Sequence, residues 1–237
     1  MGVFNPLILL GRPASGKSEF IDCMKGMPLQ NRVERFHIGD VSELDDFVWL
    51  WEKFVEDDCW ERAGYPRRYS TSAGHAYCLT NNALLDFCMA RFNAEFPRQP
   101  TSGTVFIEFS RGKGDGGYRS ALHRLDDSVL ANAAVCYIDT SFEEACRRNE
   151  ARYQERLKHS ILAHKVPEAD MLRFGKEIDW AELTQGAASG YLRVRDRQVP
   201  FVTVRNEPEI KEQGPLAARY EPALGQLWRL FQSRPGR

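Results

Sequence analysis

Residues 11–18 read Gly-Arg-Pro-Ala-Ser-Gly-Lys-Ser, a complete G-x-x-x-x-G-K-[ST] pattern, and no other stretch constrains the chain so tightly. The pattern follows the apolar run Leu7-Ile8-Leu9-Leu10 and opens Glu19-Phe20-Ile21-Asp22-Cys23-Met24, a segment compatible with a helix. Strand, tight loop and helix form the context in which such a loop wraps phosphate. Gly11 and Gly16 permit backbone angles that a Cβ forbids, so the loop Gly11, Arg12, Pro13, Ala14, Ser15, Gly16, Lys17, Ser18 and Glu19 can wrap an anion, with every residue but Pro13 offering a backbone N–H. The positive end of the helix dipole adds to that attraction. In this pattern Lys17 is expected to reach the β/γ-phosphates of a nucleotide such as ATP, and the Ser18 hydroxyl to ligate Mg²⁺.

The rest of the chain alternates apolar runs with helical periodicity. Strands are expected at 6–10, 34–38, 104–109, 133–138 and 199–204, with a hairpin near 190–199. Helices are expected over 43–62, 81–96, from the Ser141/Glu144 capping box to about 158, and over 215–232. Strands separated by helices predict an α/β fold, a mostly parallel sheet covered on both faces. At 237 residues this fits one domain.

Composition excludes several classes. A net charge of −1 gives no global field for nucleic acid or an anionic membrane. No stretch approaches a membrane span, and the start lacks the features of a secretory signal. Six cysteines without C-x-x-C spacing point to a reducing, cytoplasmic setting.

In open α/β sheets ligands sit beyond the carboxyl ends of strands. On the expected strands those mouths carry the loop itself, Gly39-Asp40, Glu108 with Ser110-Arg111, Asp139, and Asn206-Glu207. Asp40 is the candidate to bind or deprotonate an acceptor hydroxyl; the alternative is that it, or Ser42, only caps the next helix. Glu108 is the candidate to orient Mg²⁺, against a structural ion pair with Arg111. Arg148, Arg152 and Arg156 form a basic stripe suited to a transferring phosphoryl group, or a solvated face tied by pairs such as Glu144–Arg148. Arg67 and Arg68 offer a grip on an acceptor, or simply a surface loop. The histidines lack ligand-like spacing.

The segment Asp139–Arg152 with its Arg-Asn-x-x-Arg core, followed by Val166-Pro167-Glu168, resembles polynucleotide-kinase-like and seryl-tRNA-kinase-like proteins. The order of motifs is similar to the adenylate-kinase-like group of P-loop kinases, and the whole chain is also similar to bacterial P-loop ATPases. The resemblance implies a three-layer α/β/α sandwich with a parallel five-stranded sheet in the order 2-3-1-4-5 and a helical lid. Within a single domain spanning 1–237, it implies an acceptor-binding helical insertion at 42–100 and a lid at 147–180. It also implies Asn206 near the adenine and Asp40 facing the acceptor hydroxyl. Taken with the residue readings above, Lys17, Asp40, Arg148 and Arg152 are expected in catalysis, and Asp40, Arg67, Arg68 and Arg111 at the acceptor. The function expected is Mg²⁺·ATP-dependent phosphoryl transfer to a small molecule or nucleotide. The alternatives are a regulatory ATPase that binds a protein partner, or an RNA or tRNA kinase, which the near-neutral charge disfavours.

Overall fold

The computed structural model describes residues 2–73, 76–157 and 165–235. Its elements are β1 (Leu7–Gly11), α1 (Lys17–Lys25), α2 (Leu29–Phe36), β2 (Val41–Asp45), α3 (Asp46–Arg62), β3 (Ser70–Ala73), β4 (Ala76–Leu79), α4 (Ala83–Glu95) and β5 (Thr104–Phe109). There follow α5 (Gly117–His123), α6 (Asp127–Leu130), β6 (Ala134–Asp139), α7 (Phe142–Leu157) and α8 (Glu168–Met171) with a π-helical turn Leu172–Lys176. The chain ends with α9 (Trp180–Thr184), β7 (Ser189–Val194), β8 (Arg197–Arg205) and α10 (Gln213–Gln232).

The side chains of β1 alternate between two cores. Leu7 and Leu9 join Phe20, Met24 and Tyr220, whereas Ile8 and Leu10 join Leu50, Phe92 and Tyr118. A strand buried on both faces has to be covered by helices on both. Here α1, α2 and α10 cover one side and α3, α4 and α5 the other. The sheet order is β2-β5-β1-β6-β8-β7. All neighbours are parallel except the β7–β8 hairpin. The five parallel strands, taken in chain order, have the expected 2-3-1-4-5 arrangement. The hairpin adds a sixth, antiparallel edge strand.

One strand differs from expectation. Residues 34–36 close helix α2, which ends at His37 in the left-handed region (φ 56), and the second strand is Val41–Asp45. Phe36 and Ile38 are both fully buried, so a helix end running into extended chain mimics strand alternation. The actual β2 pairs only with β5. At this edge Leu44 is its one buried residue, which leaves a weak apolar signal.

The 42–100 segment is not purely helical. Residues 42–45 belong to the central sheet, and β3 and β4 form an antiparallel hairpin. Asp57, fully buried, ties that hairpin to α3: it accepts the N–H groups of Arg68, Tyr69 and Ser70 and the Ser70 hydroxyl at 2.7–2.9 Å. Burial alone would raise its pKa; these four bonds outweigh it and hold the carboxyl below its usual range. Of the expected lid, residues 158–164 lie outside the described residues. Trp180 belongs to the body, stacked on Tyr137 with ring centroids 4.4 Å apart. Among the described residues no helix is long and apolar enough to cross a membrane.

Candidate active site

The loop between β1 and α1 is built as a cradle. Gly16 has φ 103, and a Cβ there would lie 2.3 Å from the Asn206 amide nitrogen. A Cβ on Gly11 would meet the Ile138 carbonyl at 2.6 Å. Ala14 also takes a left-handed angle, φ 59. Because α1 begins at Lys17, its first-turn N–H groups have no carbonyl a turn back and face the loop. The Ser15 hydroxyl is buried with no hydrogen-bond partner. Lys17, 6% exposed, donates to the carbonyls of Gly11 and Arg12 (3.1 and 3.0 Å) and to Ser110 Oγ (2.9 Å). Ser110 in turn donates to the Gly11 carbonyl. Pro13, Ala14, Lys17 and the exposed Ser18 line a cavity of about 260 Å³.

Two carboxylates meet at the floor of this cavity. Asp45, the last residue of β2, is in register with Glu108 of β5, and Glu108 Oε1 is 3.9 Å from Lys17 Nζ. Burial is the main cause that pushes Asp45 up to about 6, with the neighbouring Asp46 adding to it. Burial also pushes Glu108 up to about 7, against the pull of Lys17. Asp45 Oδ1 caps α3 by accepting the Phe47 N–H at 2.9 Å, which fixes its orientation. Asp46 pairs with Arg111 at 2.6 Å, both buried. The partner of Arg111 is therefore Asp46 and not Glu108.

Asp40 does not reach the cavity. It precedes β2, its side chain is 84% exposed, and it stands 3.6 Å from Arg32. Its carbonyl accepts from Thr104, the first residue of β5, so it marks the amino end of parallel strands, opposite the loop. The premise that placed it at a strand mouth fails with the strand at 34–38. Asp45 and Asp46 were missed for the same reason. The signal available was an Asp-Asp pair at the start of a helix whose 47/50/51/54 stripe is apolar.

The two arginines of the Arg-Asn-x-x-Arg motif differ. Arg148, 4% exposed, is held by Glu144 (2.8 Å) and donates to the carbonyls of Asn206 (2.6 Å) and Ser15 (3.4 Å). Asn206 Nδ2 donates to the same Ser15 carbonyl at 2.8 Å, while its Oδ1 accepts from Arg219. Arg148 and Asn206 thus brace the loop from behind. Arg152 lines the cavity and pairs with Glu19 at 2.5 Å in a half-exposed position. Between them Asn149 brackets the backbone of Val166, donating to its carbonyl at 2.8 Å and accepting its N–H at 3.2 Å. This joins the two halves of the motif. The side chain of Arg156 lies outside the described residues. Arg12 turns away from the cavity and bonds the carbonyls of Gly175 and Thr140, both at 2.7 Å. The expected capping box is half made: Ser141 Oγ accepts the Glu144 N–H at 3.3 Å, but the Glu144 carboxylate serves Arg147 and Arg148, and Glu207 accepts the Ser141 N–H in its place. Arg67 is occupied by Asp58 and Glu61, and Arg68 lies over the Trp60 ring. Neither lines the cavity.

Exchanging the Arg148 fork for a lysine removes buried charge-assisted hydrogen bonds, each worth about 1.5–3 kcal/mol. Arg148→Lys is expected to lower the thermal midpoint by about 5 °C. Arg152→Ala breaks a half-exposed pair and is expected to move it by less than about 2 °C. Differential scanning fluorimetry on both variants checks this contrast.

The sequence matches no family model and no curated protein. In three dimensions the chain is similar to a gluconokinase from Sinorhizobium meliloti 1021, with a TM-score of 0.54 at 13% identity over 98% of this chain and 99% of that one. It also aligns with TT1252 from Thermus thermophilus (TM-score 0.47, 14% identity, 96% and 98% covered). A sugar kinase from Janibacter sp. HTCC2649 gives a TM-score of 0.44 at 11% identity, with 94% and 95% covered. The first of these likenesses shows that the chain shares its fold with that gluconokinase.

Proposed function

We propose that the protein is a Mg²⁺·ATP-dependent kinase that phosphorylates a hydroxyl group. The observation that carries this reading is the meeting of Lys17, Ser18, Asp45 and Glu108 around one cavity. The loop would hold the polyphosphate on its backbone N–H groups. Lys17 would leave the carbonyls it now bonds and move to the β/γ-phosphates. Among the described residues no cluster of three or more metal-ligating side chains exists. This suits Mg²⁺, which favours one or two protein oxygens beside phosphate and water. Ser18 and Glu108 are the residues to supply them. The acceptor role expected of Asp40 passes to Asp45. Asp45 would take the hydroxyl proton as the acceptor oxygen bonds to the γ-phosphorus and the β–γ bridge breaks, with ADP as the leaving group. Arg152, at the cavity wall, would exchange Glu19 for the transferring group and neutralise its charge, whereas Arg148 would act by positioning the loop. The name of the gluconokinase neighbour makes a polyhydroxylated acceptor one member of the panel to test.

Calorimetry with Mg²⁺·ATP is expected to register binding to the wild type. Lys17→Ala is expected to bind about tenfold to a hundredfold more weakly, given the worth of a charge-assisted contact. ADP release that stays at background with every acceptor in a metabolite panel would overturn the kinase reading.

A further inference from the structure

Beyond the loop the cavity changes character. From Asp45 outward, one face of α3 presents Phe47, Leu50, Trp51 and Phe54 at helical spacing, and all four line the cavity. The rings form a connected wall: Phe47 to Trp51 at 6.1 Å, Trp51 to Tyr77 at 5.5 Å, and Phe54 to Tyr77 at 5.4 Å. The Tyr77 hydroxyl donates to Asp58 at 2.5 Å, so this side chain contributes ring surface rather than a polar handle. From Asp46 to Phe54 the helix rises about 12 Å, room for one ring system carrying a short arm.

The charges along the same cavity leave little for an anion. Arg111 is committed to Asp46 at 2.6 Å, Lys165 to Glu150 at 2.5 Å, and Arg152 to Glu19 at 2.5 Å. Asp45 and Asp170 also line it, and neither forms a salt bridge among the described residues. Asp170 comes from α8, in the expected lid. Among the described residues, a phosphate or carboxylate on an acceptor lying along this wall would meet the carboxylates of Asp45 and Asp170 and would have to compete with Asp46, Glu150 and Glu19 for the cations.

Resting on the kinase reading of this cavity, we propose that the acceptor is an alcohol built on an aromatic or otherwise apolar body and bearing no phosphate or carboxylate. Its body lies on Phe47, Trp51 and Tyr77, and its hydroxyl points to Asp45. Sugar acids and nucleoside monophosphates are thereby expected to be the poorer acceptors.

The test compares matched probes by ligand-observed NMR titration on the full chain: thymidine against thymidine 5′-monophosphate, and 2-phenylethanol against D-gluconate. The uncharged member of each pair is expected to bind at least tenfold more tightly. Trp51→Ala and Phe47→Ala are each expected to weaken it about tenfold while keeping the thermal shift given by Mg²⁺·ATP, which shows the variants folded. The inference is overturned if the anionic members bind equally well, if neither uncharged probe binds at 10 mM, or if both variants bind like wild type. A parallel ADP-release assay separates the two proposals. Transfer to an anionic acceptor sinks this one and keeps the kinase; binding of the uncharged probes with no transfer to any acceptor does the reverse.

Discussion

Asp45→Asn is expected to lower phosphoryl transfer to the best acceptor of the panel by about 10²–10⁴-fold, the usual worth of a positioned general base. Asparagine caps a helix as well as aspartate does, so the bond to the Phe47 N–H is retained and the change isolates the carboxylate charge. The same substitution is expected to stabilise the nucleotide-free protein at pH 8. Asp45, at about 6, and Glu108, at about 7, both hold protons more tightly in the folded chain than in the unfolded one. The folded state therefore binds the extra protons between about pH 4 and 7, and stability falls as pH rises through that window. Thermal midpoints of the wild type should decline from pH 5 to pH 8, and Asp45→Asn should flatten the decline. Loss of activity with gain of stability is the signature of a strained functional group. Asp40→Asn, at the far end of the sheet, should change neither quantity. If Asp45→Asn transferred phosphate at the wild-type rate, the base would have to be sought elsewhere.

Arg111→Met is expected to be the most destabilising single change near the site. Arg111 and Asp46 form an ion pair at 2.6 Å with side chains 3% and 8% exposed. Removing one partner strands the other charge in the core, at a cost of about 3–5 kcal/mol. Against a total stability of about 5–15 kcal/mol, this should lower the midpoint by about 10 °C. Burial already raises the Asp46 pKa and Arg111 opposes that shift, so the variant should take up a proton and lose least stability at low pH. Asp46→Leu combined with Arg111→Met should recover most of the midpoint, because neutralising both partners removes the unpaired charge. A double variant no more stable than Arg111→Met would argue against this account. Chemical denaturation at pH 6 and pH 8 provides the measurement.

Legibility in the sequence followed the range of the interaction. The loop at 11–18 was readable because its requirements are local: glycine at two strained positions, then a lysine and a hydroxyl on the first helical turn. The central strands 104–109 and 134–139 were readable because burial on both faces writes a continuous apolar run. The edge strand β2 was not, since Val-Ser-Glu-Leu-Asp buries one side chain and looks polar. With it went the carboxylate at the mouth of that strand, expected to be Asp40, whereas β2 ends at Asp45, which lines the cavity. The arginines show a different limit. Arg148 and Arg152 share a helix and a motif, yet one is sealed behind the loop by Asn206 and Glu144 and the other opens on the cavity.

The amino-acid order alone determined a G-x-x-x-x-G-K-S loop between a buried strand and a helix, and an α/β layering in which that loop sits at a sheet mouth. Both follow from spacing and periodicity within a few residues. Only the tertiary structure decided which acid stands beside Lys17, which cations are already paired, and that an aromatic wall on α3 faces the loop. These depend on strand register and on contacts between residues distant in the chain, where a shift of one strand exchanges one carboxylate for another.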